Sequence, residues 1–98
     1  MAAFDKLIHE RSRLLILTYL AGSDKKEASF GELQKALDFT PGNLSVQLKK
    51  LQQAHYVTIR KTFRDNKPHT TAAITPAGSE ALDRYLDEME GIIKALRR

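Results

Sequence analysis

The sequence predicts a mainly α-helical single domain carrying one small β-hairpin, and three observations lead there. Apolar residues recur at helical spacing over the first twenty residues and again from Leu82 to Leu96. A short apolar alternation at period two, Val57, Ile59 and Phe63 against Thr58, Arg60 and Thr62, is followed after a turn by Thr70, Ala72 and Ile74. Between these blocks, two helix starts stand so close together that the helices they open must cross steeply. No repeat, low-complexity tract or Pro/Gly-rich linker divides the 98 residues, so residues 1–98 are expected to form one unit.

Each element has a local cause. Phe4, Leu7, Ile8, Leu14, Leu15, Leu17 and Leu20 give the first helix an apolar face, with a break or kink near His9-Glu10-Arg11-Ser12 and an end near Ala21-Gly22. After the polar connector Gly22–Lys26, Ser29-Phe30-Gly31-Glu32 has the Ser-x-x-Glu pattern of a capping box, and Leu33, Ala36 and Leu37 carry a short helix closing near Asp38. Thr40 then supplies an N-cap and Pro41 a first-turn proline, so a further helix starts at Pro41. Leu44, Leu48 and Leu51 fall on one stripe of it. At about 100° per residue, Gly42, Val46 and Lys49 point most directly away from that stripe, Asn43, Ser45 and Lys50 flank them, and Gln47 lies nearer the core edge. Ala54-His55 ends the helix, with His55 expected as a left-handed C-cap residue. Arg64-Asp65-Asn66-Lys67-Pro68 makes a basic, exposed turn in the hairpin, and Thr75-Pro76 caps a final helix running through Leu96.

Charge separates one surface from the rest. The chain carries 16 Lys plus Arg against 12 Asp plus Glu, a net of +4. Between Pro41 and Thr70, Lys49, Lys50, Arg60, Lys61, Arg64 and Lys67 face Asp65 alone, six against one, so this stretch holds +5 and the remainder −1. A helix face that is small, polar and cationic is also what an ordinary solvated helix shows. Joined to a basic hairpin, it becomes an electrostatic footprint for a polyanion, with nucleic acid the first candidate.

Other classes have little support. The chain has no cysteine, which removes disulfides, thiolate nucleophiles and thiolate metal sites and is compatible with a reducing cytoplasm, the expected location. Its longest apolar run, Leu14 to Leu17, is far too short for a bilayer, and the N-terminus lacks the basic and apolar regions of a secretory signal. His9, His55 and His69 are isolated, without metal-ligand spacing or a glycine-rich phosphate loop nearby, so neither an enzyme nor a cofactor or metal site is expected.

The order helix, helix-turn-helix, hairpin and C-terminal helix, with the wording Gly42-Asn43-Leu44-Ser45, Leu48-Lys49-Lys50-Leu51, Tyr56-Val57, Arg60-Lys61 and Ile74-Thr75-Pro76-Ala77-Gly78, resembles the winged helix-turn-helix transcriptional regulators of the MarR/ArsR type, in particular their small single-domain members. The resemblance spans nearly the whole chain. It implies a three-helix core, a two- to three-stranded sheet and a C-terminal dimerisation helix over residues 76–97. It also implies a dimer that binds double-stranded DNA, probes the major groove with helix 41–54 and lays the wing, residues 57–74, on flanking backbone or in the minor groove, acting as a repressor. Helix contacts would come from Thr40, Gly42, Asn43, Ser45, Val46, Gln47, Lys49 and Lys50, and wing contacts from Arg60, Lys61, Arg64, Lys67 and His69. Relatives of this type often respond to a small-molecule effector, whose identity the sequence does not give. One departure is Ala54-His55, where the family usually has glycine.

Within such a site the lysines and arginines suit phosphates, Asn43, Ser45 and Gln47 suit base edges, and Val46 suits a thymine methyl. For dimerisation, Leu82, Tyr85, Met89, Ile92 and Leu96 alternate spacings of three and four, Leu86 and Ile93 widen that face, and Phe4, Leu7 and Ile8 join it. Two alternatives use the same fold: a protein–protein interaction module, which would show more exposed apolar residues on the helix and wing, and an architectural DNA binder indifferent to sequence.

Overall fold

The computed structural model describes residues 5–97. Five helices and three strands follow in the order α1 (Lys6–His9), α2 (Arg11–Ala21), β1 (Glu27–Ser29), α3 (Phe30–Leu37), α4 (Pro41–Gln53), β2 (Val57–Arg64), β3 (Lys67–Ile74) and α5 (Pro76–Leu96). The expected kink is a full break. Glu10 adopts an extended conformation and its carboxylate caps α2 by accepting from the Ser12 and Arg13 N–H groups at 3.1 and 3.2 Å.

The helix starts follow their caps. The Ser29 hydroxyl accepts from the Glu32 N–H (3.0 Å), but Glu32 does not reach back to complete a capping box. Its carboxylate instead takes the Tyr19 hydroxyl (2.7 Å), tying α2 to α3. Asp38 closes α3 in the left-handed region (φ 56°), and with Phe39 and Thr40 forms the whole turn to α4. Thr40 and Thr75 accept from the Asn43 and Gly78 N–H groups, and Pro41 and Pro76 hold the first helical positions. His55 is left-handed as expected (φ 65°), with the Tyr56 N–H bonded to the Leu51 carbonyl and the His55 N–H to the Gln52 carbonyl, a Schellman ending without glycine.

The sheet has three antiparallel strands in the order β1-β3-β2. The sequence pattern did not mark β1; it pairs Glu27, Ala28 and Ser29 with Ala73, Ala72 and Thr71 along the free edge of β3. β2 and β3 pair throughout, from Val57↔Ile74 to Arg64↔Lys67, and Asp65 and Asn66 join them with φ of 50° and 63°, the paired positive values of a two-residue hairpin turn.

One core holds these elements together. Ile16, Leu17 and Leu20 of α2, Leu33 of α3, Leu44, Leu48 and Leu51 of α4, Val57, Ala72 and Ile74 of the sheet, and Ala81, Leu82 and Tyr85 of α5 are all buried. The three α4 leucines are at most 2% exposed, and burying each stabilises the helix's seat by about 2 kcal/mol. The start of α5 is clamped to the α4–β2 corner. The Thr75 N–H donates to the Tyr56 carbonyl (2.9 Å) and the Thr75 hydroxyl to the His55 carbonyl (2.6 Å), while a Cβ on Gly78 would lie 2.2 Å from the Tyr56 oxygen.

The expected dimer stripe is narrower than its spacing suggested. Ile8, Leu82 and Tyr85 are buried in their own chain because the first three turns of α5 cover α1 and α2, so these three are core residues rather than a free face. Leu7 and Met89 pack at the edge of the same core. Leu86, Ile92 and Ile93 (42% each) and Leu96 (80%) remain exposed, and Phe4 lies outside the described residues. The molecule measures 57 × 24 × 23 Å, with a radius of gyration of 14.7 Å against about 13 Å for a compact chain of this length. Every residue from Glu90 to Arg97 is exposed.

Candidate nucleic-acid interface

The outer face of α4 is built by the leucines beneath it. With Leu44, Leu48 and Leu51 turned inward, Gly42, Asn43, Ser45, Val46, Lys49 and Lys50 are all exposed, Val46 at 50%. Thr40 is exposed too, and its hydroxyl oxygen accepts from the Asn43 N–H (3.2 Å), capping the helix. Gln47, expected near the core edge, is half-buried and engaged twice. Its Oε1 accepts from Arg13 Nη1 (2.8 Å) and its Nε2 donates to Asn43 Oδ1 (3.1 Å).

Strand alternation divides the wing residues between two faces. Lys61 pairs with Thr70 and shares the face of Val57 and Ile59 that turns toward α4. Arg60 (opposite Thr71), His69 (opposite Thr62), and Arg64 with Lys67 at the tip lie on the other face, so the five do not form one patch. All the cations among them are exposed, while His69 is half-buried.

A cleft of about 800 Å³ separates α4 from the sheet, lined by Ser45, Leu48, Lys49 and Gln52 on one wall and Ile59, Lys61 and Thr70 on the other, with Phe30 of α3 at its end. Two ammonium groups facing across a polar trough, without a carboxylate in the lining, suit a chain of phosphates.

Three residues were not singled out by sequence reasoning. Gln52 lies one turn beyond Lys49 on the cleft side of α4. Phe63, 77% exposed, stands near the wing tip opposite Pro68, on the same face as Lys61. Arg13 is 9% exposed on the face of α2 that buries Ile16, Leu17 and Leu20. Its position was legible, since it falls three, four and seven residues before those apolar positions and places a cation on a buried stripe. Arg13 Nε donates to the Leu7 carbonyl (2.6 Å), and Nη1 also lies 3.7 Å from the Glu10 carboxylate. Partial burial works against the charged form of Glu10, but the Ser12 and Arg13 N–H bonds and the guanidinium outweigh it and lower its pKa.

Helix, helix-turn-helix, three-stranded sheet with a projecting basic hairpin, and a polar cationic face on the second helix of the pair define a winged helix protein. The family model for the winged helix DNA-binding domain matches residues 12–93, and the chain belongs to that family. An uncharacterised protein of Methanocaldococcus jannaschii is 32% identical over 84 residues, covering 86% of this chain and 89% of the relative. Among solved structures, a transcriptional regulator homologue from Pyrococcus horikoshii OT3 superposes with a TM-score of 0.82 at 30% identity, over 94% of this chain and 89% of that one. A MarR family transcriptional regulator from Streptomyces coelicolor, solved in complex with DNA, shares the fold at a TM-score of 0.74 and 23% identity, over 95% of this chain and 59% of that one.

Proposed function

We propose that the protein is a dimeric transcriptional regulator that inserts α4 into the DNA major groove, seats a phosphate backbone in the cleft between α4 and the sheet, and lays its wing on the flanking backbone or minor groove. The observation that carries this reading is the coincidence of the +5 stretch with exposed side chains on both sides of one trough, Lys49 from the helix and Lys61 from the wing, with Lys50 exposed beside Lys49 on α4 and Arg60, Arg64 and Lys67 exposed on the other face of the wing. The family match and the DNA complex of the Streptomyces coelicolor regulator support it. Occupation of promoter DNA, and hence repression, is the simplest consequence of such binding, with the cytoplasm as its place. A small effector, in this reading, would bind between the DNA-binding core and α5.

The dimer is proposed on the distal half of α5. Leu86, Ile92, Ile93 and Leu96 are large, exposed and at helical spacing, whereas the proximal half is already covered by its own chain. Val46 and Phe63 are the large exposed apolar side chains of the α4–wing surface, and both stand among cations, which favours DNA over a protein partner.

Selection of bound sequences from a random duplex pool, at two salt concentrations, tests the function. A two-fold symmetric enriched site, with affinity falling steeply as salt rises, is the expected result. No duplex binding at low salt, or a monomer by light scattering at micromolar concentration, would refute regulator or dimer respectively.

A further inference from the structure

We infer that Phe63, with Pro68 beside it, is an apolar wedge at the wing tip that enters the minor groove, opens one base step there and bends the duplex toward the major groove. The inference deepens the reading that α4 enters the major groove and rests on it.

The register of the hairpin makes the two residues one patch. Arg64↔Lys67 closes the two-residue turn, so the next pair, Phe63↔Pro68, is a non-hydrogen-bonded one. There the missing N–H of a proline costs nothing, and partner side chains lie closest together. Both residues are exposed, Phe63 at 77%. Among the described residues every other aromatic side chain packs in or against the core, so Phe63 is the one the core does not use.

Its surroundings identify the occupant. Lys61 stands two residues before Phe63 on the same face, and Arg64 and Lys67 lie next to the pair on the other face, with Asp65 as the single carboxylate of the turn. An apolar protein surface closing over this tip would leave cations desolvated and unpaired, whereas DNA brings phosphates to them.

The trough sets the position. Lys61 lines the cleft in which the backbone strand beside the major groove is seated in this reading. Two residues along an extended strand span about 7 Å, which carries Phe63 across that backbone and over the minor groove. A ribbon whose strands are about 5 Å apart, before side chains are added, does not fit a groove about 6 Å wide, but one side chain standing off its face does. On the groove floor a phenyl ring meets base-edge acceptors to which it can donate nothing. Its favourable contact is with the apolar faces of the bases, reached by entering between two of them. Such entry kinks the duplex toward the major groove, and it costs least at the flexible pyrimidine–purine steps.

The test uses the full chain with Phe63→Ala and Phe63→Leu, two changes at an exposed position that leave the core intact. Wild-type protein first selects sites from a random duplex pool; a pyrimidine–purine step should be enriched outside the bases read by α4, and Phe63→Ala should lose that preference while the rest of the site persists. Energy transfer between dyes at the two duplex ends should report a bend that falls by about 20° or more per wing in Phe63→Ala and is retained in Phe63→Leu, which keeps an apolar wedge. A 2-aminopurine placed at the enriched step should brighten when wild-type protein binds and stay dark with Phe63→Ala. The inference is overturned if Phe63→Ala bends DNA as the wild type does, if the 2-aminopurine stays dark with the wild type, if no flanking step is enriched, or if the leucine and alanine variants behave alike. Weaker binding by Phe63→Ala with an unchanged bend would place the ring on the sugars and likewise overturn the wedge, while the gene-regulator reading stands. A wild type that binds no duplex overturns that reading, and this inference with it.

Discussion

Replacing Lys61 and Arg64 together by alanine separates electrostatic affinity from base reading. Lys61 lines the α4–sheet cleft and Arg64 flanks the wing turn, and both are exposed, so their removal disturbs no core contact. Each cation that neutralises a phosphate contributes about 0.9 to the slope of log affinity against log salt. Losing two per subunit should therefore flatten the slope by about 1.8, or about 3.6 for a dimer. Between 50 and 200 mM salt, the dimer's loss of affinity should then shrink on the order of a hundredfold relative to the wild type. Fluorescence anisotropy on two unrelated duplexes over a salt series reads this directly. Both duplexes should weaken alike at low salt, because phosphate contacts carry no sequence. Lys94→Ala serves as a control, since Lys94 pairs with Glu90 on α5 (3.2 Å), away from the trough, and should leave the slope unchanged. A slope unaltered by the double substitution would show that the wing does not meet phosphates, however basic it is.

Gly78→Ala should destabilise the fold by about 2–3 kcal/mol, measured by urea denaturation, because the new methyl meets the Tyr56 carbonyl at 2.2 Å and the clamp at the start of α5 must open. His55→Gly should raise stability by about 0.5–1 kcal/mol by relieving the left-handed conformation at φ 65°; a loss would mean that the side chain contributes more than the strain costs. Tyr56 donates its hydroxyl to the Asp5 carboxylate, and this bond, with burial and the nearby negative charge, raises its pKa above 10. A pKa raised on folding favours the protonated form, so this contribution is complete below pH 10 and lost as pH rises through the folded value. Tyr56→Phe should cost about 1 kcal/mol at pH 7 and lose that alkaline component; identical alkaline unfolding curves for variant and wild type would refute the assignment.

Much of the fold could be read because its signals are local. Thr40-Pro41 and Thr75-Pro76 set two helix starts through their own backbone N–H groups, and Leu44, Leu48 and Leu51 oriented α4 by spacing alone. The strand β1 could not be read that way. Three residues carry no usable period, and their conformation comes from the edge of β3, whose paired residues Thr71, Ala72 and Ala73 lie far along the chain. The half-formed capping box has the same origin, since Tyr19 on another helix takes the Glu32 carboxylate that the local pattern assigned to the backbone.

The sequence by itself determined where the positive charge lies and which residues α4 turns outward, because net charge and helical periodicity are properties of neighbours along the chain. Only the tertiary structure decided how those side chains are partnered. It gave half of the α5 stripe to its own core, put Lys61 and Arg60 on opposite faces of the wing, and placed Arg13 beneath Gln47 across 34 residues of chain. Hydrogen-bond direction and burial depend on what lies opposite in space, and spacing along a chain carries no record of that.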